Sequence, residues 1–271
     1  MNLRQPVAAA CVLVTAILVV NAAPAGAKIL KTRRPGQYRE LALNIGSGFE
    51  YGTDSEQTEY GFPFLVEYGF TKALKLSVEP GYVMVRKKNG GSFNGPGDIE
   101  TTLTCEFPTE RRYRPGLALE GVAKWPTARR GELGTGQADY SLGVIVSKEF
   151  VQFDLDLNAV YTFIGSPPGA HLENTFEAAL AAEWHLTPAL DVEAEAITSI
   201  GAGGGFRALP GTLGGFANLG GAVQGQSESE GTLGLAEHLT TWLKLEEGMV
   251  LKSDGSWQAV AAWEWDFGGG K

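Results

Sequence analysis

The stretch WQAVAAWEWDF, residues 257–267, decides the fold, because its side chains alternate with a period of two. One face carries three tryptophans, two alanines and Phe267, whereas the other carries Gln258, Glu264 and Asp266. Successive side chains of a β-strand point to opposite faces. The stretch therefore predicts a strand with one apolar face and one polar face.

Segments of about ten residues with the same alternation recur from residue 38 to residue 267. Clusters of Gly, Pro, Asn, Asp or Ser separate them, as is typical of turns. The predicted strands are 38–50, 58–70, 73–85, 97–107, 116–125, 138–148, 150–163, 175–186, 189–199, 230–239, 241–251 and 256–267. The pattern predicts an all-β chain.

The alternation alone does not distinguish a membrane barrel from a soluble protein, because apolar and polar side chains also alternate along the strands of a soluble β-sandwich. Here the apolar faces carry aromatic residues at their ends and the polar faces carry charges. Together with an export signal, these features favour a transmembrane antiparallel up-and-down β-barrel of about 12 strands. Short turns alternate with the long connections 86–96, 126–137, 164–174 and 200–229, so we expect both termini in the periplasm.

The N-terminus has the pattern of a secretory signal peptide, with Arg4, an apolar run over 7–20 and Ala25-Gly26-Ala27 before Lys28. The apolar run, about 14 residues, is too short for a comfortable helical span. We predict a cleaved signal over 1–27, a barrel domain over 28–271 and a location in the cell outer membrane.

Composition narrows the function classes. The formal net charge is −9, whereas a nucleic-acid-binding surface needs clustered Lys and Arg. Of the two cysteines, Cys11 lies in the signal and Cys105 remains alone. We therefore expect no nucleic-acid partner and no intrachain disulfide.

Several landmarks resemble the family named for the MetA pathway of phenol degradation, a group of outer-membrane β-barrel transporters. They are residues 67–71 (EYGFT), 97–99 (GDI), 115–119 (PGLAL), 125–127 (WPT), 134–140 (GTGQADY) and 263–267 (WEWDF). Ala128 stands where the family usually has Gly after Pro-Thr, and residues 268–271 follow the usual final Phe. The resemblance implies a barrel that takes up hydrophobic or aromatic compounds, and it brings no catalytic residues.

Strand parity places many acids on the polar face, which lines the lumen of a barrel in a membrane. The candidates for selectivity are Asp98, Glu100, Glu120, Asp139, Asp154, Asp156, Glu177, Glu183, Asp191, Glu193, Glu195, Glu264 and Asp266, joined by Glu67, Glu79 and Glu106. The bases expected beside them are chiefly Lys75, Lys124 and Lys244. Rings of carboxylates favour cations, although these acids can also pair with the lysines, bind ions or keep the interior wet.

The connection from Ile200 to Gln226 is rich in glycine and nearly uncharged, and it carries Phe206, Arg207 and Phe216. It predicts either a gating loop folded into the barrel mouth or an outer loop that rests on the rim. Two basic clusters, 86–88 and 129–130, are expected at the outer rim, where lipopolysaccharide and lipid supply counter-charge or solvent surrounds them. A third, within 111–114, is expected in a periplasmic turn.

No catalytic or metal-binding pattern stands out along the chain. The histidines are His171, on a predicted outer loop, and His185 and His238, in two strands near periplasmic turns. No Ser is paired with them as a hydrolase needs, and His/Cys ligand spacings are missing. We expect no enzyme activity, no cofactor and no metal.

The sequence therefore predicts an outer-membrane channel or transporter for passive uptake of small solutes, hydrophobic or aromatic ones by the family resemblance. The alternative is a structural or receptor barrel with a filled lumen and no transport. A barrel of about this strand number accommodates either arrangement.

Overall fold

The computed structural model describes residues 32, 40–107, 114–129, 133–134, 136–167, 172–202 and 226–267. These residues form fourteen β-segments and no helix that is long and apolar enough to cross a membrane. The segments are β1 (Leu43–Thr53), β2 (Gln57–Gly69), β3 (Leu74–Glu79), β4 (Gly81–Lys87), β5 (Ser92–Pro96), β6 (Ile99–Phe107), β7 (Gly116–Trp125), β8 (Asp139–Glu149), β9 (Phe153–Phe163), β10 (Thr175–Thr187), β11 (Leu190–Ala202), β12 (Gln226–His238), β13 (Leu243–Lys252) and β14 (Trp257–Asp266).

Antiparallel pairing closes these segments into one barrel of twelve strands. β2 pairs with β3 over one part and with β4 over the other, so β3 and β4 are one strand interrupted at Pro80. β5 and β6 likewise form one strand, because they pair with β4 and β3. β1 pairs with both β2 and β14, which closes the barrel. The predicted fold class and strand number are confirmed.

The two interruptions have chemical causes. Pro80 has no N–H to donate to the ladder, although its carbonyl accepts a hydrogen bond from Phe64 N at 2.9 Å. Across Gly97 and Asp98 the register shifts by one residue, which is the signature of a β-bulge. The predicted strand 73–85 is thus right in place and wrong in continuity. The predicted strand 97–107 matches β6 to within two residues, but it omits the extension of this strand through β5.

Some predicted boundaries are wrong. Glu40 and Leu41 form a turn, with φ of 56° at Leu41, so β1 begins at Leu43 and not at 38. The predicted loop 86–96 is mostly a hairpin, because β4 runs to Lys87 and β5 begins at Ser92. Gly90 and Gly91, with φ of 92° and 94°, supply the left-handed backbone of its turn.

The barrel is apolar outside and polar inside. Outward side chains such as Phe64, Leu142 and Leu233 are exposed, whereas inward ones such as Glu67, Ser141 and Thr232 are buried. This inverts the usual arrangement of a soluble protein. Such a surface is stable only when lipid covers it, so the barrel is built to span a membrane.

Aromatic rings mark the two edges of the apolar belt. We call the end where β1 begins and β14 ends the proximal end, and the opposite one the distal end. At the proximal end the rings of Trp242 and Trp265 lie 6.0 Å apart, and at the distal end those of Tyr51 and Trp257 lie 5.5 Å apart. Two such girdles are typical of transmembrane barrels.

Candidate functional site: an acidic inner wall

The inner wall is strongly acidic. Fourteen carboxylate side chains are buried in the described residues, against only two lysines, Lys75 and Lys124. All fourteen acids lie on strands, at inward positions. Among the described residues, the inner wall therefore carries many more buried acids than buried lysines.

The predicted lumen acids lie on this wall. Buried ones are Glu100, Glu120, Asp139, Asp154, Asp156, Glu177, Asp191, Glu193 and Glu195, and half-buried ones are Asp98, Glu183, Glu264 and Asp266. The list of lumen acids predicted from the sequence omitted Glu50, Glu59 and Glu246, which are also buried on the inner wall. All three sit at polar-face positions of the period-two pattern, so the signal that finds them was present in the sequence.

Glycines on the inner wall make room for some carboxylates. A Cβ on Gly143 would lie 2.6 Å from Glu120 Cγ, and a Cβ on Gly61 would lie 3.0 Å from Glu50 Oε2. The acid side chains therefore lie flat across the neighbouring strand, over a glycine. This packing explains part of the high glycine content.

The three expected lysines neutralise only part of this charge. Lys75 Nζ lies 2.8 Å from Glu67 Oε1, and Lys124 pairs with Asp139. Lys244 Nζ lies 3.3 Å from Glu193 Oε1 and 2.7 Å from Glu246 Oε1. The expectation that lysines pair with lumen acids is met, and among the described residues buried carboxylates outnumber buried lysines.

Two histidines extend this network at the proximal end. His185 Nδ1 lies 3.0 Å from Asp191 Oδ1, and His185 Nε2 lies 3.0 Å from Asp154 Oδ2. His238 Nε2 lies 2.8 Å from Asp191 Oδ2. We call Asp154, Glu183, His185, Asp191 and His238 the histidine cluster. The sequence pattern was tested for histidines that act in catalysis or bind a metal, and it did not place His185 and His238 beside these acids.

The β7–β8 connection, for which no such role was predicted, reaches into the distal mouth of the barrel. Leu133, in the β7–β8 connection, is 2% exposed and packs against Val83 and Val85 on the inner wall. Asp98 Oδ1 accepts a hydrogen bond from Ala128 N at 2.9 Å and so anchors this connection. Asp98, predicted as a selectivity residue, thus holds a loop.

Part of the lumen is occupied by the chain itself. Thr32 is 6% exposed, and its backbone N–H and hydroxyl both donate to Glu195 Oε1, the former at 2.5 Å. Glu195 faces inward from the middle of β11. Thr32 therefore lies inside the barrel.

Several sequence predictions lie outside the described residues. They are the signal 1–27, the gating candidates Phe206, Arg207 and Phe216, and His171. The absence of enzyme activity stays a prediction.

The barrel is similar to solved outer-membrane porins. The NanC porin in a rhombohedral crystal form superposes with a TM-score of 0.53 at 9% identity, over 82% of this chain and 98% of that chain. The KdgM porin in complex with disordered oligogalacturonate gives 0.51 at 8% identity, over 82% and 99%. The chain therefore has the fold of an outer-membrane β-barrel. No family model and no curated protein sequence matches it.

Proposed function

We propose that the chain is an outer-membrane channel through which small solutes pass passively, with a preference for cations over anions. The observation that carries this proposal is the excess of buried carboxylates over lysines on the inner wall. Fixed negative charge in a narrow, low-dielectric passage raises the local concentration of cations and repels anions. The apolar belt and aromatic girdles support a location in the outer membrane. We propose that the chain is exported through a cleaved signal peptide over 1–27.

The substrate class follows from the family resemblance. The resemblance to the MetA-pathway family supports hydrophobic or aromatic compounds, and the acidic wall adds a preference for those that are cationic. Growth on a panel of aromatic and aliphatic compounds, with and without the gene, tests the class directly. Growth defects confined to non-aromatic substrates would contradict it.

Tracer entry into proteoliposomes tests the channel. Benzyltrimethylammonium and benzenesulfonate are matched in size and permanently charged, so neither crosses lipid readily alone. We expect the cation to enter faster, and the double variant Asp156→Asn/Glu195→Gln to reduce the difference. Glu237→Gln, which removes a carboxylate from the outward face, is the matched control. Faster entry of the sulfonate would overturn the preference.

A filled barrel without transport is the second candidate. Leu133 in the distal mouth and Thr32 against Glu195 support it, because both occupy space inside the barrel. In that case a correctly folded protein admits neither tracer. Heat-modifiable migration of the unboiled protein shows whether the barrel in the vesicles is folded. If a folded barrel admits neither tracer, the result favours the filled barrel.

Anionic lipid is the proposed partner of the distal rim. A cleft of about 900 Å³ is lined by Arg86, Lys87 and Lys88 together with Tyr60 and Met84. Basic groups above apolar side chains suit the phosphates and acyl chains of lipopolysaccharide. Arg86→Ala/Lys87→Ala is expected to lower the lipopolysaccharide retained on purification, whereas Lys72→Ala, in the proximal β2–β3 turn, is not.

A further inference from the structure

Asp154, Glu183 and His185 converge on one point of the inner wall near the proximal end. Asp154 on β9 is the register partner of Glu183 on β10. His185 follows Glu183 by two residues and so faces the same side. One ligand atom from each of the three residues lies within 4.8 Å of the others.

The separation between His185 and Asp154 matches that of two ligands around a small dication. Ligands bound at about 2.0–2.1 Å with angles of about 90–110° lie roughly 2.9–3.4 Å apart. His185 Nε2 and Asp154 Oδ2 are 3.0 Å apart, whereas Glu183 Oε1 lies 3.8 Å from the other ring nitrogen, Nδ1. An ion on Nε2 would therefore have Asp154 at the matching separation, and Glu183 would turn towards it to complete the set.

The surroundings orient the histidine for this role. A histidine that binds a metal usually gives its other ring N–H to a carboxylate. Asp191 Oδ1 lies 3.0 Å from His185 Nδ1, and its Oδ2 lies 2.8 Å from His238 Nε2. Asp191 is thus held by contacts with both histidines. Because it engages Nδ1 of His185, the other ring nitrogen, Nε2, faces Asp154.

A second observation is a buried carboxylate oxygen beside the cluster for which the described residues supply no hydrogen-bond partner. Glu193 is the register partner of Glu183 on β11 and is 1% exposed. Its Oε2 is buried and has no hydrogen-bond partner, whereas Oε1 pairs with Lys244. Lys244 is also shared with Glu246. A dication at the neighbouring cluster would add positive charge to this part of the wall.

The ligand types select the metal. One imidazole and two carboxylates suit Zn²⁺ and neighbouring transition metals, whereas Ca²⁺ and Mg²⁺ prefer oxygen ligands alone. Three protein ligands also leave a coordination position open to water. The competing account is a protonated His185 that bridges Asp154 and Asp191 with no metal.

We propose that Asp154, Glu183 and His185 form a binding site for a transition-metal dication of the Zn²⁺ class inside the proximal end of the barrel. Such an ion would join β9 to β10 and place two positive charges in the acidic passage. The site does not depend on the proposed channel, because binding is measured without ion flow.

Competition with a chromophoric chelator, on refolded and chelator-treated protein, measures Zn²⁺ binding. We expect one ion per barrel, with the affinity lowered by roughly ten-fold or more in Asp154→Asn, Glu183→Gln and His185→Gln. Asp156→Asn is the matched control, since it removes a carboxylate from the next inward position of the same strand. Heat-modifiable migration establishes that each variant is folded.

Co²⁺ gives an independent signature. Bound at His185, it should show a visible absorption band that His185→Gln abolishes and Asp156→Asn preserves. Absence of saturable Zn²⁺ binding in the folded protein, or equal binding by the Asp154, Glu183 and His185 variants, would overturn the proposal in favour of the protonated bridge. A barrel that binds Zn²⁺ but passes no tracer would overturn the proposed channel and leave this site standing.

Discussion

Lys244 holds two carboxylates of the inner wall at once, Glu193 and Glu246. Both acids are almost fully buried, so neither can be solvated if the lysine is removed. We expect Lys244→Met to lower the free energy of unfolding by about 3 kcal/mol, the cost of leaving a buried charge without its partner. Urea titration followed by tryptophan fluorescence measures this change. Lys72→Met, in an exposed turn, is the control, and an equal effect of both substitutions would contradict the account.

Glu246 and Glu247 are adjacent on β13 and face opposite sides of the barrel. Glu247 pairs in register with the outward residues Leu235 and Ala261. Ala261 lies midway between Trp257 and Trp265, so Glu247 lies near the middle of the lipid-facing belt. A carboxylate there is unfavourable.

The two glutamates should therefore respond in opposite directions to the same substitution. We expect Glu247→Leu to stabilise the barrel in lipid vesicles by about 1 kcal/mol. Glu246→Leu should destabilise it, because Lys244 loses a partner and an apolar group enters the polar interior. Reversible unfolding in vesicles measures both values. Stabilisation by Glu246→Leu would contradict the assignment of faces.

At the scale of the element, Asp98 anchors the described part of the β7–β8 connection. Asp98 lies in the bulge between β5 and β6, which directs its carboxylate to Ala128 N. A hydrogen bond to a charged group contributes about 1.5–3 kcal/mol. We expect Asp98→Ala to speed tryptic cleavage after exposed Arg129 by about ten-fold or more. Asp254→Ala, in the β13–β14 turn, should leave that rate unchanged, and a similar rise there would refute the anchoring role.

The fold prediction rests mainly on the alternation of apolar and polar side chains along each strand. β7 matches its predicted bounds, 116–125, because both faces alternate cleanly between Gly116 and Trp125. The bulge at Gly97 and Asp98 was not predicted, since a one-residue register shift depends on the neighbouring strand. The strand β5 was mistaken for part of a loop because Phe93 packs against the cluster of Val83, Val85 and Leu133, and Leu133 is remote in sequence.

The candidate site was also predictable only in part, because it depends on contacts between strands that are distant in sequence. Parity places Asp154, Glu183 and Asp191 on the polar face, and all three lie on the inner wall. Their convergence with His185 and His238 depends on the registers of β9 to β12, which alternation within one strand does not specify. Side chains from distant residues meet only when the strands are paired.

For the whole molecule, the twelve strands place the start of β1 and the end of β14 at the same end of the barrel. β1 begins and β14 ends at the proximal end, and we expect that end to face the periplasm. In a Cys105→Ser background, Asn89→Cys in the distal β4–β5 turn should react with a membrane-impermeant maleimide on intact cells. Thr240→Cys in the proximal β12–β13 turn should react only after lysis. The reverse pattern would contradict the orientation.

The most direct test of an acidic passage through the barrel is the reversal potential of single channels in planar bilayers under a potassium chloride gradient. The excess of inner-wall carboxylates predicts steady unitary currents whose reversal potential has the sign of cation selectivity. Asp156→Asn/Glu195→Gln should move it towards zero, and Glu237→Gln should leave it unchanged. Anion-selective currents, or no current from a folded barrel, would contradict the account.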